Sequence, residues 1–364
     1  MESGTQIDRP LEINPQTNRR DAAGEQIKHY IRANRMKPGA RLPTVRQLSE
    51  HFALSRDAIW RALKQLNDEQ WLDLQPNKRY TVSEAVYKTI LQSLRVKAVF
   101  SGKRYIYFSG FRRLSDALAK ECHYQNIDLS IELLPLLERP TREIFDKCDL
   151  LLVDSDSSGP VIERFKEFPV PVIGLDADYS ERYRANIVTD HHLGGRMAAE
   201  AILKKGVRHA TVVYFGGSED NPRISARIDG FRQAWLEAGR AANTMRVVPI
   251  SWSRSTFKIA LNALDFLKAH PPKGSYFVTD GRLAASFLEV LAYLEVPVPD
   301  EVGLIGFDGA QMGQLTDPPM TTIQQAMESI AHGAVEWLRA IGSGEEKKGS
   351  LERIAPVFVE RDSF

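Results

Sequence analysis

The chain has 364 residues, 43% hydrophobic and 26% charged, and its 48 Lys and Arg nearly balance its 47 Asp and Glu. This length exceeds one typical hydrophobic core, so two or three domains are expected. No apolar run approaches the roughly 18 residues needed to cross a bilayer, and the polar N-terminus does not resemble a secretory signal. We therefore expect a cytoplasmic protein with no membrane partner.

Positive charge is slightly concentrated in the first 82 residues, which hold 14 Lys and Arg against 10 Asp and Glu, whereas the remainder holds 34 against 37. A mildly basic head is compatible with DNA binding, although this difference alone is weak evidence. The two cysteines, Cys122 and Cys148, suit a reducing compartment and form no metal-ligand pattern. No metal site and no cofactor are expected.

The N-terminal part predicts a helix-turn-helix. Residues 1–18 are polar and aperiodic and are predicted to be disordered, and a helix follows over residues 19–34. Thr44 begins a second helix with a capping-box pattern, and Ser55 caps a third helix after a tight turn. Two short helices joined in this way form the helix-turn-helix plan.

The third helix directs Arg56, Asp57, Trp60 and Arg61 outward, which is where donors to bases and phosphates are needed. Residues 71–74 and 79–82 are predicted to form a β-hairpin wing, with Lys78 and Arg79 at its tip. An ordinary solvated basic face is the alternative interpretation of these side chains.

The run KPGARLPTVRQLSEHFALSRDAIWRALKQLNDEQWL, residues 37–72, resembles the GntR-type winged helix. The resemblance extends over about residues 20–82, and we place the domain at 19–82. It implies DNA contacts from Arg46, from Arg56 and from the residues that follow Arg56. Asp57, Trp60 and a wing without glycine depart from the family pattern. The expected DNA-binding residues are Thr44, Arg46, Ser55, Arg56, Asp57, Trp60, Arg61, Lys78 and Arg79.

Residues 83–103 are predicted to be a linker, in which residues 86–94 have the apolar spacing of a helix. The remaining residues, 104–364, alternate short apolar runs with amphipathic helical segments, the pattern of parallel sheets covered by helices. The predicted strands are 105–108, 129–133, 150–153, 172–175, 210–214, 246–249, 276–279 and 302–306. The predicted helices include 115–124, 193–204, 225–237, 255–269 and 283–294.

Ligands of parallel sheets bind beyond the carboxyl ends of the strands, so polar and aromatic residues at those points are candidates for a binding site. They include Phe111, Asp190, Trp252, Asp280 and Asp308. Carboxylates and arginines beside an aromatic ring suit a polyhydroxylated ligand. The alternative for Asp190 and Asp280 is that they only cap the helices that follow. The adjacent pair His191-His192 does not share a helix face and is not expected to bind a metal.

The segments IVTDHHLGGRMAAEAILKKGVRH, RISARIDGFRQAW, VTDGRLAASFLEVLAYLEVPVPDEVGLIGFD and DPPMTTIQQ resemble the LacI/GalR effector-binding core. This resemblance covers about residues 187–364, with weaker motifs over 103–186. It implies a two-lobed periplasmic-binding-protein-like α/β fold and an effector site that includes Asp190, Arg227, Trp252, Asp280 and Asp308. Thr279 departs from the family, which usually has Asn before the Asp. Arabinose-repressor-like regulators combine the same two modules.

These resemblances imply a sequence-specific transcription regulator, a homodimer that binds an inverted repeat in double-stranded operator DNA and is released by a small sugar-like effector. We expect the effector pocket between the two lobes and no enzymatic activity. The alternatives are a regulator whose effector acts as a co-repressor, a transport-type sugar-binding protein, and a GntR-type head fused to a pyridoxal-phosphate enzyme. A transport protein would need a signal peptide and no DNA-binding head. The enzyme would need a longer chain and a Schiff-base lysine.

Overall fold

The computed structural model describes residues 19–34, 36, 38–76, 78–85, 94–101, 109–125, 127–134, 140–176, 181–218, 220–308, 312–342 and 351–364. Three predictions concern residues outside these ranges. They are the disorder of residues 1–18, the strand 105–108 and most of the linker helix 86–94. No helix within the described ranges is long and apolar enough to span a membrane.

The head contains three helices and a small antiparallel sheet, as the sequence predicts. The helices are α1 (Arg19–Ala33), α2 (Val45–Phe52) and α3 (Arg56–Asp68), and the strands are β1 (Leu72–Leu74) and β2 (Tyr80–Val82). Their inward side chains form one core around Ile27, Leu48 and Ile59, each of which is fully buried. Thr44 and Ser55 begin α2 and α3 with side-chain caps, which stabilise the N-terminal ends of the two helices.

The rest of the chain forms two six-stranded sheets, each covered by helices. The first sheet has the strand order β13-β7-β6-β5-β3-β4. Its strands are β3 (Arg95–Ser101), β4 (Asp128–Leu134), β5 (Leu150–Asp154), β6 (Val172–Leu175), β7 (Ala185–Thr189) and β13 (Leu351–Ile354). The second sheet has the order β14-β12-β11-β10-β8-β9. Its strands are β8 (Ala210–Gly216), β9 (Met245–Ser251), β10 (Gly274–Val278), β11 (Val302–Phe307), β12 (Thr321–Gln324) and β14 (Val357–Val359).

Helices cover both faces of each sheet, which makes two three-layered lobes. The helices are α4 (Ser109–Tyr124), α5 (Ser155–Arg164), α6 (His191–Lys204), α7 (Pro222–Glu237), α8 (Thr256–Ala269), α9 (Gly281–Tyr293) and α10 (Met327–Gly342). The pairs β3–β4 and β8–β9 are parallel, and the two faces of each sheet carry separate apolar clusters. These two parallel-sheet lobes confirm the predicted periplasmic-binding-protein-like fold.

The chain passes between the lobes at the ends of β7, β12 and β13. Helix α10 returns to the first lobe, where Met327 and Ile330 pack into its core. In the second lobe, α6 and α7 pack so closely that a Cβ on Gly195 would overlap the carbonyl group of Arg227. A Cβ on Gly230 would likewise overlap the carbonyl oxygen of His192. The glycines therefore allow the contact that brings α7 against the start of α6.

The main difference from the predicted organisation is the end of the linker. Residues 95–101, expected within the linker 83–103, form β3 near one edge of the first sheet, where Val96 pairs with Leu150 of β5. Strands β7, β12, β13 and β14 and helices α5 and α10 also lay outside the predicted elements. Several of these strands are only three to five residues long, which leaves too few positions for periodicity to reveal them.

Candidate functional sites

Helix α3 presents an exposed polar face to solvent. Its inner face buries Ile59, Ala62, Leu63 and Leu66, while Arg56 is exposed and Trp60 remains 51% exposed. The Ser55 hydroxyl accepts the Ala58 N–H, so it fixes the N-terminus of α3 rather than pointing freely outward. The Thr44 hydroxyl plays the same part for α2, where it accepts the Gln47 N–H at 3.3 Å.

The exposed cations of the head fall into two groups. Arg46 donates to Glu50 one turn away at 3.1 Å, and Arg61 pairs with Asp57 on the same face of α3. In the absence of DNA, Asp57 therefore offsets the charge of Arg61. Arg56, in contrast, has no ion pair among the described residues. Lys64 lies 5.9 Å from the centre of the Trp60 ring, which extends the positive surface along α3.

The wing places two further cations in solvent. Lys78 adopts a left-handed backbone with φ 60° and donates its N–H to the Gln75 carbonyl, which closes the turn between β1 and β2. Lys78 and Arg79 are both exposed at this tip, where the sequence predicts them.

A buried charged cluster lies where the two lobes meet. At its centre is Arg227 on α7, which is 7% exposed. Its guanidinium donates to the Thr279 carbonyl at 2.6 Å and to His191 Nδ1 at 3.2 and 3.3 Å, and it lies 3.6 Å from the centre of the Phe307 ring. Burial lowers the pKa of Arg227 to about 10, partly offset by nearby carboxylates, so it remains charged at neutral pH.

Asp176 of the first lobe supplies one carboxylate to this cluster. It is 2% exposed, accepts the Thr189 N–H at 3.0 Å, and lies 3.6 Å from His191 Nε2. Arg223 of α7 donates to the Asp176 carbonyl at 3.3 Å. Burial acts to raise the pKa of the Asp176 carboxyl, but the electrostatic influence of His191 and Arg223, together with the Thr189 N–H, outweighs it and lowers that pKa. Asp176 is therefore ionised at neutral pH.

Asp308 supplies the second carboxylate, immediately after β11. It has a left-handed backbone with φ 58° and accepts the Gln325 side-chain amide at 2.9 Å, while Gln325 accepts the Thr189 hydroxyl. A Cβ on Gly110 of the first lobe would lie 3.3 Å from its Oδ1. Burial raises the pKa of Asp308 despite the opposing charge of Arg227. Groups from both lobes thus converge on Asp308.

The other predicted effector residues lie at the carboxyl ends of strands. Asp190 and Asp280 each accept N–H groups at the start of α6 and α9, so both side chains cap the helices that follow them. Asp280 is also close enough to contribute to the electrostatics of Arg227 and Asp308. Trp252 follows the edge strand β9 and is 45% exposed. Phe111 belongs to the first turn of α4, but its side chain lies outside the described residues.

Sequence reasoning missed Asp176, His191 and Gln325 as members of the cluster. Asp176 directly follows the correctly predicted strand 172–175, so the strand-end rule was sufficient to find it. Gln325 follows the unpredicted strand β12 and left no such signal. In the described part of the chain, no group of three or more His, Cys, Asp and Glu is placed to hold a metal ion.

Two family profiles match the chain. Residues 19–82 match "Bacterial regulatory proteins, gntR family", and residues 199–364 match "Periplasmic binding protein-like domain". The chain combines a GntR-type helix-turn-helix head with a periplasmic-binding-protein-like core. Both predicted resemblances are confirmed. The head comprises residues 19–82, and the core comprises the two lobes.

Curated relatives are repressors. The "Sucrose operon repressor" of Streptococcus mutans is 25% identical over 59% of this chain and 64% of its own length. The "Ribose operon repressor" of Escherichia coli is 24% identical over 59% and 64%, and the "HTH-type transcriptional repressor PurR" of Vibrio campbellii is 23% identical over 56% and 59%. The chain thus spans about three-fifths of the length of these relatives.

Solved structures share the fold of the core. A LacI family transcriptional regulator from Enterococcus faecium with bound ribose superposes with a TM-score of 0.61 and 20% identity, over 74% of this chain and 98% of that chain. The "transcriptional regulator CelR-cellobiose complex" has a TM-score of 0.61 and 15% identity, over 89% and 100%. The predicted two-lobed, periplasmic-binding-protein-like fold is therefore confirmed.

Proposed function

We propose that this chain is a homodimeric transcription repressor that binds an inverted repeat in operator DNA through its head and is released by a small polyhydroxylated effector held in its core. The observation that carries the proposal is the convergence of Asp176 of the first lobe with Arg227 and Asp308 of the second. A molecule bound at this cluster would touch both lobes and would thereby change their relative position.

The DNA-binding half of the proposal is supported by the exposed face of α3. Arg56 stands beside the N-terminus of a well-capped helix and has no ion pair among the described residues. This is the arrangement that suits bidentate recognition of guanine in the major groove. Arg46, Arg61, Lys78 and Arg79 provide further donors for bases and phosphates, with Trp60 as an apolar contact.

The DNA-binding half is tested by selecting bound fragments from a random duplex library with the purified protein. The proposal expects enrichment of an inverted repeat. A control selection with an Arg46→Ala and Arg56→Ala double variant is expected to enrich no motif. Enrichment of the same motif by both proteins would contradict the assignment of α3 as the reading element.

The effector half is supported by the chemistry of the cluster. Carboxylates accept pairs of sugar hydroxyls, and guanidinium groups donate to ring and hydroxyl oxygens. Outside the cluster, at the carboxyl end of β9 on the same edge of the sheet, the 45% exposed Trp252 offers an indole face to C–H groups. The Thr279 hydroxyl is fully buried and has no hydrogen-bond partner among the described residues, so it provides a further polar group for a ligand. Two of the structurally similar regulators are a complex with ribose and a complex with cellobiose.

Binding is tested by thermal unfolding with pentoses, hexoses and sugar acids. A ligand at a hundred times its Kd stabilises the native state by roughly 2.7 kcal/mol. Asp308→Asn is expected to remove this stabilisation, and Asp229→Asn is the control, because Asp229 is exposed on the outer side of α7. Equal stabilisation of both variants would place the ligand elsewhere.

We propose release of DNA rather than tighter binding, with two copies of the chain acting together. Exposed apolar side chains on the second lobe, including Phe257 at 73% and Leu315 at 87%, are candidate contacts for a second copy. Light scattering at micromolar concentration tests the dimer, for which we expect twice the mass of one chain.

A mobility-shift experiment with effector added distinguishes release from co-repression. Release weakens the band of DNA-bound protein, whereas a co-repressor would strengthen it.

A further inference from the structure

The wing contains a third segment of chain that the sequence pattern did not predict. Residues 39–42 run alongside β2: the Gly39 N–H donates to the Val82 carbonyl at 2.8 Å, the Val82 N–H to the Ala40 carbonyl at 2.9 Å, and the Leu42 N–H to the Tyr80 carbonyl at 3.0 Å. An antiparallel bridge pairs Arg41 with Thr81. Backbone hydrogen bonds therefore attach the segment before α2 to the wing.

This pairing separates the side chains of the wing by face. Ala40 and Leu42 pack with Tyr80 and Val82 against the core of the head. Because successive side chains of an extended segment alternate, Arg41 points to the opposite, outer face. There Arg41 and Arg79 line the same open groove. The residues that line it are Gly39, Arg41, Gln75, Pro76, Arg79 and Thr81.

The floor of the groove is polar and ordered. The Gln75 side-chain amide donates to the Thr81 hydroxyl at 2.9 Å, and that hydroxyl lies within 3.3 Å of the Asp73 carbonyl. Arg41 is exposed and its side chain forms no ion pair or hydrogen bond within the described head, in contrast to Arg46 and Arg61. Asp73 lies opposite Thr81 on β1 but does not line the groove.

We propose that this groove holds the sugar-phosphate backbone of DNA and that Arg41 neutralises a phosphate there. A planar guanidinium on a rigid strand matches the geometry of a phosphate, and the neighbouring Arg79 and the Gln75 amide add donors on the same side. The contact would supply affinity and register without sequence preference. This inference rests on the proposed function and extends it to a residue outside both the helix-turn-helix and the wing tip.

The test measures the affinity of the full chain for a random-sequence duplex over a series of salt concentrations. Each phosphate contact contributes about 0.9 to the slope of log K against log salt. We expect Arg41→Ala to reduce the slope by about 0.9 and Arg41→Lys to retain it, because the lysine keeps the charge. Arg208→Ala, an exposed arginine of the core, is the matched control and is expected to leave the slope unchanged.

The possible outcomes separate this inference from the proposed function. An unchanged slope for Arg41→Ala, with wild-type protein bound to DNA, overturns the groove contact alone. Failure of the wild-type protein to bind any duplex overturns the proposed function and the inference with it. A thermal shift on adding inorganic phosphate that is lost in Arg41→Ala, without any change in the salt slope, would show a site for free anions and contradict the DNA contact.

Discussion

Among the substitutions proposed for the core, we expect Arg227→Met to reduce the free energy of unfolding most. Methionine has a similar length but removes a buried cation whose guanidinium donates to Thr279 and His191 and packs on Phe307. Its removal leaves the Asp176 and Asp308 carboxyls near each other without this compensation, since both feel its charge. Breaking a direct buried ion pair costs about 3–5 kcal/mol, because a buried charge is left uncompensated. Arg227 forms hydrogen bonds but no direct ion pair within the described residues, so we expect a loss at the lower end, about 3 kcal/mol, in the free energy of unfolding of the core.

The assay is urea unfolding followed by circular dichroism, and Arg232→Met is the matched control. Arg232 lies on the same helix but is exposed and pairs only with Asp229, so we expect a change below about 0.5 kcal/mol. Adding Asp308→Asn to Arg227→Met removes one uncompensated carboxylate and should restore part of the loss. The reasoning is refuted if Arg227→Met is as stable as the Arg232→Met control.

Three further predictions follow from the head and the core. Asp176→Asn should destabilise the protein at pH values above the ordinary carboxyl pKa of 3.8. The difference in unfolding free energy between variant and wild type should vanish as the pH falls through the lower pKa of the folded state, as unfolding measured over a pH series would show. A difference that does not change with pH would contradict ionisation of Asp176. Arg56→Ala should weaken operator binding by about 1–3 kcal/mol in a mobility-shift titration while leaving random-sequence binding less affected; equal losses on both duplexes would restrict Arg56 to phosphate contact. Effector binding should shift the fluorescence of Trp252, and Trp252→Phe should abolish that shift; persistence of the shift in the variant would remove Trp252 from the pocket.

The sequence was most informative where local chemistry determines structure. Capping residues Thr44 and Ser55 marked the starts of α2 and α3, and long amphipathic runs located α6 to α9 of the core. The sequence predicts a linker where β3 lies, because no turn signal separates this strand from the segment before it. Its role becomes visible only through pairing with β4 and β5, which are distant in the chain.

The candidate site was predictable only in part for the same reason. Arg227 and Asp308 were placed through resemblance, and the structure brings them together. Asp176 directly follows a predicted strand and is within reach of the same strand-end rule, whereas Gln325 joins the cluster only through packing of distant segments, bonded to Thr189 across 136 positions. The direction of the Arg41 side chain is likewise set by pairing with β2. It could therefore not be derived from the residue spacing around the helix-turn-helix.

The central claim is that the core regulates the head, and the most direct test is a titration of effector with and without saturating operator. Coupling between two binding sites is reciprocal, so an effector that weakens operator binding tenfold must itself bind ten times more weakly when operator is present. Calorimetry on the full chain with the sugar identified by thermal shift would measure both affinities. The account predicts the weaker effector affinity in the presence of operator. Equal affinities in the two conditions would contradict it.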